Sequence, residues 1–532
     1  MQNSYLHQPA SHRVLFCDEL LRRILDHLYE VDEESSGLDW ECKDTLASLA
    51  ITCRSISEPA LDVLWRFISD SEAFDTFLQA TNILPDSHKL NVSVFSSDFK
   101  AILDLYNKNK PLHSGDLKKY FHRIHGLHVS TSLWTEPLSQ ALQTQSQPVF
   151  PRLTKLVLCV ESKLSGMDSI LIPTLRSLSI KVSTTVDISP SDLVRTFVYR
   201  TPNLNSLHLE WLNDNTQHSA ETRKVLCMIV NLPELRHLSM NLDILKCPEF
   251  LPTLSCLRHL EILSLTAPIV DRTKPPWVFV PCHAFPTLHT LHLEYPIRMV
   301  HAFLSALRGA KISSLHITIQ EPFLPSEQFA LARSITSNFA STIESVALQV
   351  SEGSGFFSIL GDFRTVLPQS ITPLISAHLT ELHLEYMNAD DVTDSLCKSM
   401  SEAWPRLRSL DIMADRDVPQ PPAHMVTLTG LKWFALGCPE IDEISMQVNG
   451  LGTHWENEID AALEIKASRL TLLNLQGSSV DSPLSVAKYL RWCFPLLRNV
   501  RFPKINLIET RDLKIVHAFR EVCSLLADSK II

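Results

Sequence analysis

One short phrase recurs fourteen times between Ile124 and Phe502: an aliphatic residue, two variable residues, an aliphatic or aromatic residue, one variable residue, another apolar residue. Ile124-Leu127-Val129, Leu153-Leu156-Leu158 and Leu175-Leu178-Ile180 open the series, and Leu431-Phe434-Leu436, Leu470-Leu473-Leu475 and Leu497-Val500-Phe502 close it. The intervals run from 22 to 39 residues. A fixed short pattern at such a period signals stacked supersecondary units, each burying its apolar face against the next.

Each phrase reads as a strand. Alternation over Leu207-His208-Leu209-Glu210 puts the leucines on one face and the polar residues on the other. In seven phrases a proline stands two residues before the first aliphatic residue (Pro151, Pro173, Pro202, Pro233, Pro286, Pro405 and Pro495). Proline there stops a preceding helix and sets an extended approach. Stretches between phrases carry helical spacing, as in Asp192–Arg200, Arg298–Arg308 and Val486–Phe494. The expected fold is an α/β solenoid with an inner parallel sheet and outer helices. Fourteen strands about 4.8 Å apart extend roughly 65 Å.

The phrase with its strand-then-helix unit resembles the leucine-rich repeat, which implies a horseshoe with a concave ligand-facing sheet. The period is irregular, and the family's Asn or Cys after the strand is replaced by Glu161, Ser183, Leu212, Asp243, Pro268, Pro296 and Gln320. The convex turns are therefore expected to vary.

Five regions follow: a flexible tail over 1–13, a helical block over 14–70, a helical connector over 71–120, the repeats over 121–507, and a capping helix over 508–532. Three helices are expected in the block. The first carries Leu20, Leu21, Ile24, Leu25 and Leu28; the second carries Leu46, Leu49, Ala50 and Cys53; the third follows Pro59 with Leu61, Leu64 and Trp65. Between the first two, Tyr29 to Asp44 is acid-rich and reads as a solvated loop. So small a block leaves part of its apolar surface wet, which marks a partner site.

This block resembles the F-box. Glu19-Leu20-Leu21, Ile24-Leu25 with Leu28, Leu49-Ala50 with Cys53-Arg54, and Leu64-Trp65 carry the likeness, although Phe16-Cys17 stands where the family has Leu-Pro. An F-box-like block followed by leucine-rich repeats is similar to the fungal F-box proteins with divergent repeats. The resemblance implies an adaptor: the block docks onto a Skp-type linker protein and thus a cullin complex through Leu20, Leu21, Ile24, Leu25, Leu28, Leu49, Cys53, Leu64 and Trp65. The repeats would present a protein substrate to the ubiquitin machinery. The alternative is a repeat scaffold that works without any ligase.

Leu-His-Leu-Glu occurs identically at 207–210, 291–294 and 382–385. His208, Glu210, His292, Glu294, His383 and Glu385 are thus expected on the concave face as polar substrate contacts, with His128 and His316 at the same strand position. These three tetrapeptides lie in non-adjacent repeats, so a metal site, which needs three or four converging ligands, is not expected. Trp433, read on the inward side of its strand, is an aromatic anchor candidate.

A net charge of −11 gives no basic footprint for nucleic acid. Only 13 glycines argue against phosphate-cradling loops, and the nucleotide, zinc-protease and serine-hydrolase motifs are missing, so no cofactor and no catalytic residues are expected. Twelve cysteines without a CxxC pair suit reduced, mostly buried thiols in the cytoplasm or nucleus. No apolar run suits a membrane span, and Met1 to Arg13 lacks a signal-peptide core.

Overall fold

The computed structural model describes residues 18–27, 40–52, 54–68, 121–131, 148–161, 170–184, 186, 188–212, 219–241, 247, 249–266, 285–321, 324–351, 371–387, 392–414, 426–448, 469–475, 478, 482–497, 499–501 and 510–527. The expected tail and the 71–120 connector lie outside these residues. The chain divides into two units, residues 1–243 and 244–532.

The first unit begins with three helices, α1 (Asp18–His27), α2 (Trp40–Thr52) and α3 (Arg54–Leu64). Leu21, Leu25, Leu46, Ile56, Ala60 and Val63 form their shared core. Two boundaries differ from the expectation. Helix α2 starts at Trp40, so the acidic stretch is helical over its last residues. Helix α3 starts at Arg54 and carries Pro59 within it. Six residues in, proline removes one i→i−4 hydrogen bond, a cost offset here by burial of Ile56, Ala60 and Val63 on the same helix.

Strand β1 (Phe67–Ile68) follows at once and pairs in parallel with β2 (Gly126–Ser130), Phe67 opposite Gly126. A Cβ at position 126 would run into the Phe67 ring, so glycine is what lets the helical head join the sheet this closely. Strands β3 (Lys155–Val160), β4 (Ser177–Val182), β5 (Ser206–Trp211) and β6 (His237–Met240) then pair in sequence order. Helices α4 (Pro190–Val198) and α5 (Ser219–Ile229) lie between strands in the chain and pack together. Leu127, Leu156, Leu178, Leu207 and Leu238 sit opposite one another in register, none more than 1% exposed.

The second unit repeats the plan. Its elements in order are α6 (Phe250–Leu254), β7 (Ile262–Thr266), β8 (Thr290–Tyr295), α7 (Ile297–Ala306), β9 (Ser314–Ile319), α8 (Pro325–Phe339) and β10 (Ser345–Val350). Then come β11 (Glu381–Met387), α9 (Asp394–Ala403), β12 (Ser409–Ala414), α10 (Leu428–Gly437), β13 (Glu443–Met446), β14 (Leu472–Asn474), α11 (Pro483–Cys493), β15 (Asn499–Arg501) and α12 (Thr510–Ala527). Strands β7 to β15 pair in parallel, each with its sequence neighbours. The expected C-terminal helix is α12. It packs on α11 and buries Val522.

The proline positions form turns rather than extended approaches. Leu153, Leu175, Leu204, Leu235, Leu407 and Leu497 each donate an N–H to the carbonyl three residues back, at 3.0 to 3.2 Å. The proline occupies the second turn position, where its fixed φ is already correct. The residue ahead of it (Phe150, Ile172, Thr201, Leu232, Trp404 and Phe494) is buried in every case. Polar side chains beside the turns tie each unit to the one before. Thr174 donates to the Leu153 carbonyl at 2.9 Å, Asn203 to Pro173 at 3.0 Å, Thr287 to Leu260 at 2.8 Å and Thr342 to Ile312 at 2.8 Å. These bonds satisfy carbonyls at the turns of a chain that lacks the family's asparagine ladder.

One phrase is misplaced by sequence reading. Leu431-Phe434-Leu436 lies in helix α10, and the strand of that repeat is β13, formed by Ile441-Ile444-Met446. The reason is local. Thr427 caps the helix by accepting from the Thr429 N–H at 3.1 Å, and Leu428, Leu431, Phe434 and Ala435 bury at helical spacing. Pro439 then sits two residues before Ile441, and Ile441 donates to Cys438 at 3.2 Å in the same turn as elsewhere. With this shift, the aliphatic phrases stack in sequence order within each unit, and both units are leucine-rich-repeat solenoids.

Candidate functional site

Two surfaces concern function: the outward face of α1 and the open face of the sheet. On α1 the apolar residues form two stripes, each spaced by four. Leu21 and Leu25 are 4% and 1% exposed, inside the head core. Leu20 and Ile24 are 45% and 50% exposed. The helix is nearly three turns long, and one stripe folds the head while the other is left in water. Leu49 and Leu64 are half-buried against the core, and Trp65 is buried. Leu28 and Cys53 lie outside the described residues. Of the residues assigned to partner docking, Leu20 and Ile24 are therefore the accessible pair. Leu21 and Leu25 belong to the core of the head, and Trp65 is buried as well.

The head is tied to the first repeats by charge. Arg123 donates to both Asp62 Oδ1 and Glu58 Oε2 on α3, and also to the Glu58 carbonyl at 3.0 Å. Arg22 on α1 meets the other Asp62 oxygen at 3.1 Å. The Arg123 side chain is only 12% exposed, so screening by water is weak there.

On the open sheet face the histidines and glutamates fall where alternation places them. In the first unit, His208 lies 3.9 Å from Glu210, and Lys181 Nζ reaches Glu210 Oε2 at 3.1 Å. Burial pushes the His208 pKa down, against the pull of Glu210. His128 Nε2 and Cys159 Sγ are 3.3 Å apart, and burial raises the Cys159 thiol pKa, so the neutral thiol is favoured over a nucleophilic thiolate.

In the second unit the histidines are closer together than the tetrapeptides imply. His292 and His316 are register partners on β8 and β9, with ring centroids 5.0 Å apart. Ala347 separates His316 from His383, and Asp411 follows on β12. His383 Nδ1 bonds Asp411 Oδ2 at 2.8 Å, and Gln349 lies 3.1 Å from its Nε2. Burial lowers the pKa of His292. Burial, then the His292 and His383 charges, lower that of His316, whereas the Asp411 hydrogen bond raises that of His383. Glu294 accepts from Gln320 at 3.4 Å, and Glu385 lies near enough to His383 to favour its charged form. Among the described residues, no three His, Cys, Asp or Glu side chains converge as metal ligands.

Trp433 does not belong to this face. It lies on α10, with Lys398 Nζ from α9 4.8 Å from its ring centroid. The helical spacing of Leu428, Leu431 and Phe434 was the available signal. Cysteine burial is also mixed. Cys438 is buried and pushed up to about 12, whereas Cys227 and Cys256 are exposed.

No protein-family model and no curated protein matches the chain. Among solved structures it is similar to an internalin from Listeria monocytogenes, with 14% identity over 76% of this chain and 93% of that one and a TM-score of 0.34. It is similar to the leucine-rich-repeat protein LegL7 from Legionella pneumophila at 14% identity, 67% and 93% coverage and a TM-score of 0.32. For the Rad7 and Elc1 complex in yeast the values are 16%, 79%, 97% and 0.33. Likenesses this low carry no argument about function. The fold stands on the strand register.

Proposed function

We propose that this chain is a non-catalytic substrate-recognition subunit of a Skp–cullin–F-box-type ubiquitin ligase, working in the cytoplasm or nucleus. The observation that carries this reading is the wet stripe of Leu20 and Ile24 on a head whose core already contains Leu21 and Leu25. Packing of the head does not require that stripe, and a linker helix laid against it would bury it. Burying the half of each side chain that is now in water would contribute about 2–3 kcal/mol in total. The Arg123 bonds to Glu58 and Asp62 support the reading further. They hold the head against the first repeats, so a linker on α1 would stand at a set place relative to that part of the repeat surface. The repeats supply the substrate surface, of a size that suits a protein ligand.

Affinity capture from cells after proteasome inhibition tests this. The wild-type chain is expected to retain a Skp-type linker and to accumulate ubiquitylated partners. Leu20→Asp with Ile24→Asp is expected to lose both. Capture of partners with neither linker nor ubiquitin would establish a scaffold instead.

A further inference from the structure

His292 and His316 sit side by side on the open face of the second unit, opposite one another on β8 and β9. They come from different repeats, and only strand register brings them together. Their ring centroids are 5.0 Å apart, with the rings tilted by 41°. Two imidazoles that hold one metal ion through nitrogens about 2.0–2.1 Å away have centroids about 4.5–5.3 Å apart, in right-angled or tetrahedral geometry. The pair is therefore spaced for chelation without any movement of the strands.

A second observation concerns what the rings bond. Among the described residues, no hydrogen bond reaches either ring of this pair. His383, further along the same row, has both nitrogens engaged, Nδ1 by Asp411 at 2.8 Å and Nε2 by Gln349 at 3.1 Å. The two histidines in contact are thus the two whose nitrogens the described residues leave to solvent or a ligand. Burial holds both in the neutral form that ligates metals. Their register neighbours on either side, Ser264 and Ala347, carry no long side chain over the rings. Strands β7 to β13 have no lysine or arginine to repel a cation, and Glu294 stands two residues along β8 on the same face.

We propose that His292 and His316 chelate a divalent transition ion of the zinc, nickel and copper class, with water in the remaining positions. No third His, Cys, Asp or Glu among the described residues converges with them, so the site is exchangeable rather than a structural centre. This goes beyond the substrate-recognition reading and does not depend on it.

Isothermal titration of the reduced full chain with nickel(II) chloride tests the proposal. One ion per chain is expected to bind more tightly than the background of other histidines, and to raise the unfolding midpoint. His292→Gln and His316→Gln are each expected to weaken that site about tenfold or more, because the remaining imidazole loses a second ligand held at high effective concentration. His259→Gln with His301→Gln removes two exposed histidines off the strands, and is expected to leave both affinity and midpoint shift unchanged. No site stronger than the background, equal affinity in wild type and either single variant, or equal loss in the His259 and His301 pair would overturn the proposal.

Discussion

Gly126 and the histidines of the second unit carry the sharpest consequences at the level of single side chains. A Cβ at 126 meets the Phe67 ring, and β1 joins β2 through Phe67 opposite Gly126 and Ile68 opposite Leu127. Gly126→Ala is expected to destabilise the first unit by about 1–3 kcal/mol, the range for overpacking. Thermal unfolding of the purified variant measures it. The histidines give a dependence on pH. His292 and His316 have folded-state pKa values below 6.5, chiefly through burial. As pH falls through about 6.5 the unfolded chain takes up protons that the folded one refuses, so their contribution to stability declines toward acid. His383 has the opposite sign, because Asp411 raises its pKa. Its contribution is complete below about 6.5 and is lost as pH rises through the folded value. The charged neighbours of this row are Glu294, Glu381, Glu385 and Asp411. Denaturant midpoints between pH 8 and pH 5 should therefore fall less toward acid in His292→Gln with His316→Gln than in wild type, and more steeply in His383→Gln. Identical slopes in all three chains would contradict the assignment.

Elements were legible in this chain wherever two signals agreed. Leu207-His208-Leu209-Glu210 alternates, and Pro202 stands ahead of it, so β5 falls where expected. The Leu431 phrase had the right spacing by itself, but the residues around it repeat every three to four positions. The helix prevails because the Thr427 cap, the Asp394 contacts and the buried Leu428–Leu431–Phe434 stripe reinforce one another. The signal that would have found β13 was the proline rule itself, applied to Pro439. Partner side chains were harder to read on α1. Spacing placed five apolar residues on the helix, but only three-dimensional packing decides that Leu21 and Leu25 face the core while Leu20 and Ile24 face water. Likewise, the His292–His316 contact depends on register between different phrases, which a single phrase does not encode. The start of α10 offers its own test. Asp394 at the start of α9 accepts from the Thr427 N–H at 2.8 Å and from its hydroxyl at 2.7 Å. Thr427→Ala is expected to cost about 1 kcal/mol, as for other N-caps. The double-mutant cycle with Asp394→Ala should show coupling, since both side chains serve one helix start. Strict additivity in denaturant titrations would exclude that tie.

Taken over its full length, the chain combines a head with a spare apolar stripe and two repeat units whose open faces differ in charge. The face of the first unit pairs its glutamate with lysine, whereas strands β7 to β13 of the second carry five carboxylates and no lysine or arginine of their own. Such a division suits a protein that is held by one partner and offers a separate surface to another. The central claim is that the stripe on α1 is the docking surface for a Skp-type linker. Isothermal titration of the purified chain with a purified linker of that type tests it most directly. Wild type is expected to bind, and Leu20→Asp with Ile24→Asp to lose at least a hundredfold in affinity with its unfolding midpoint unchanged, as for surface residues outside the core. Equal affinity in the two chains, or no heat of binding in either, would contradict it.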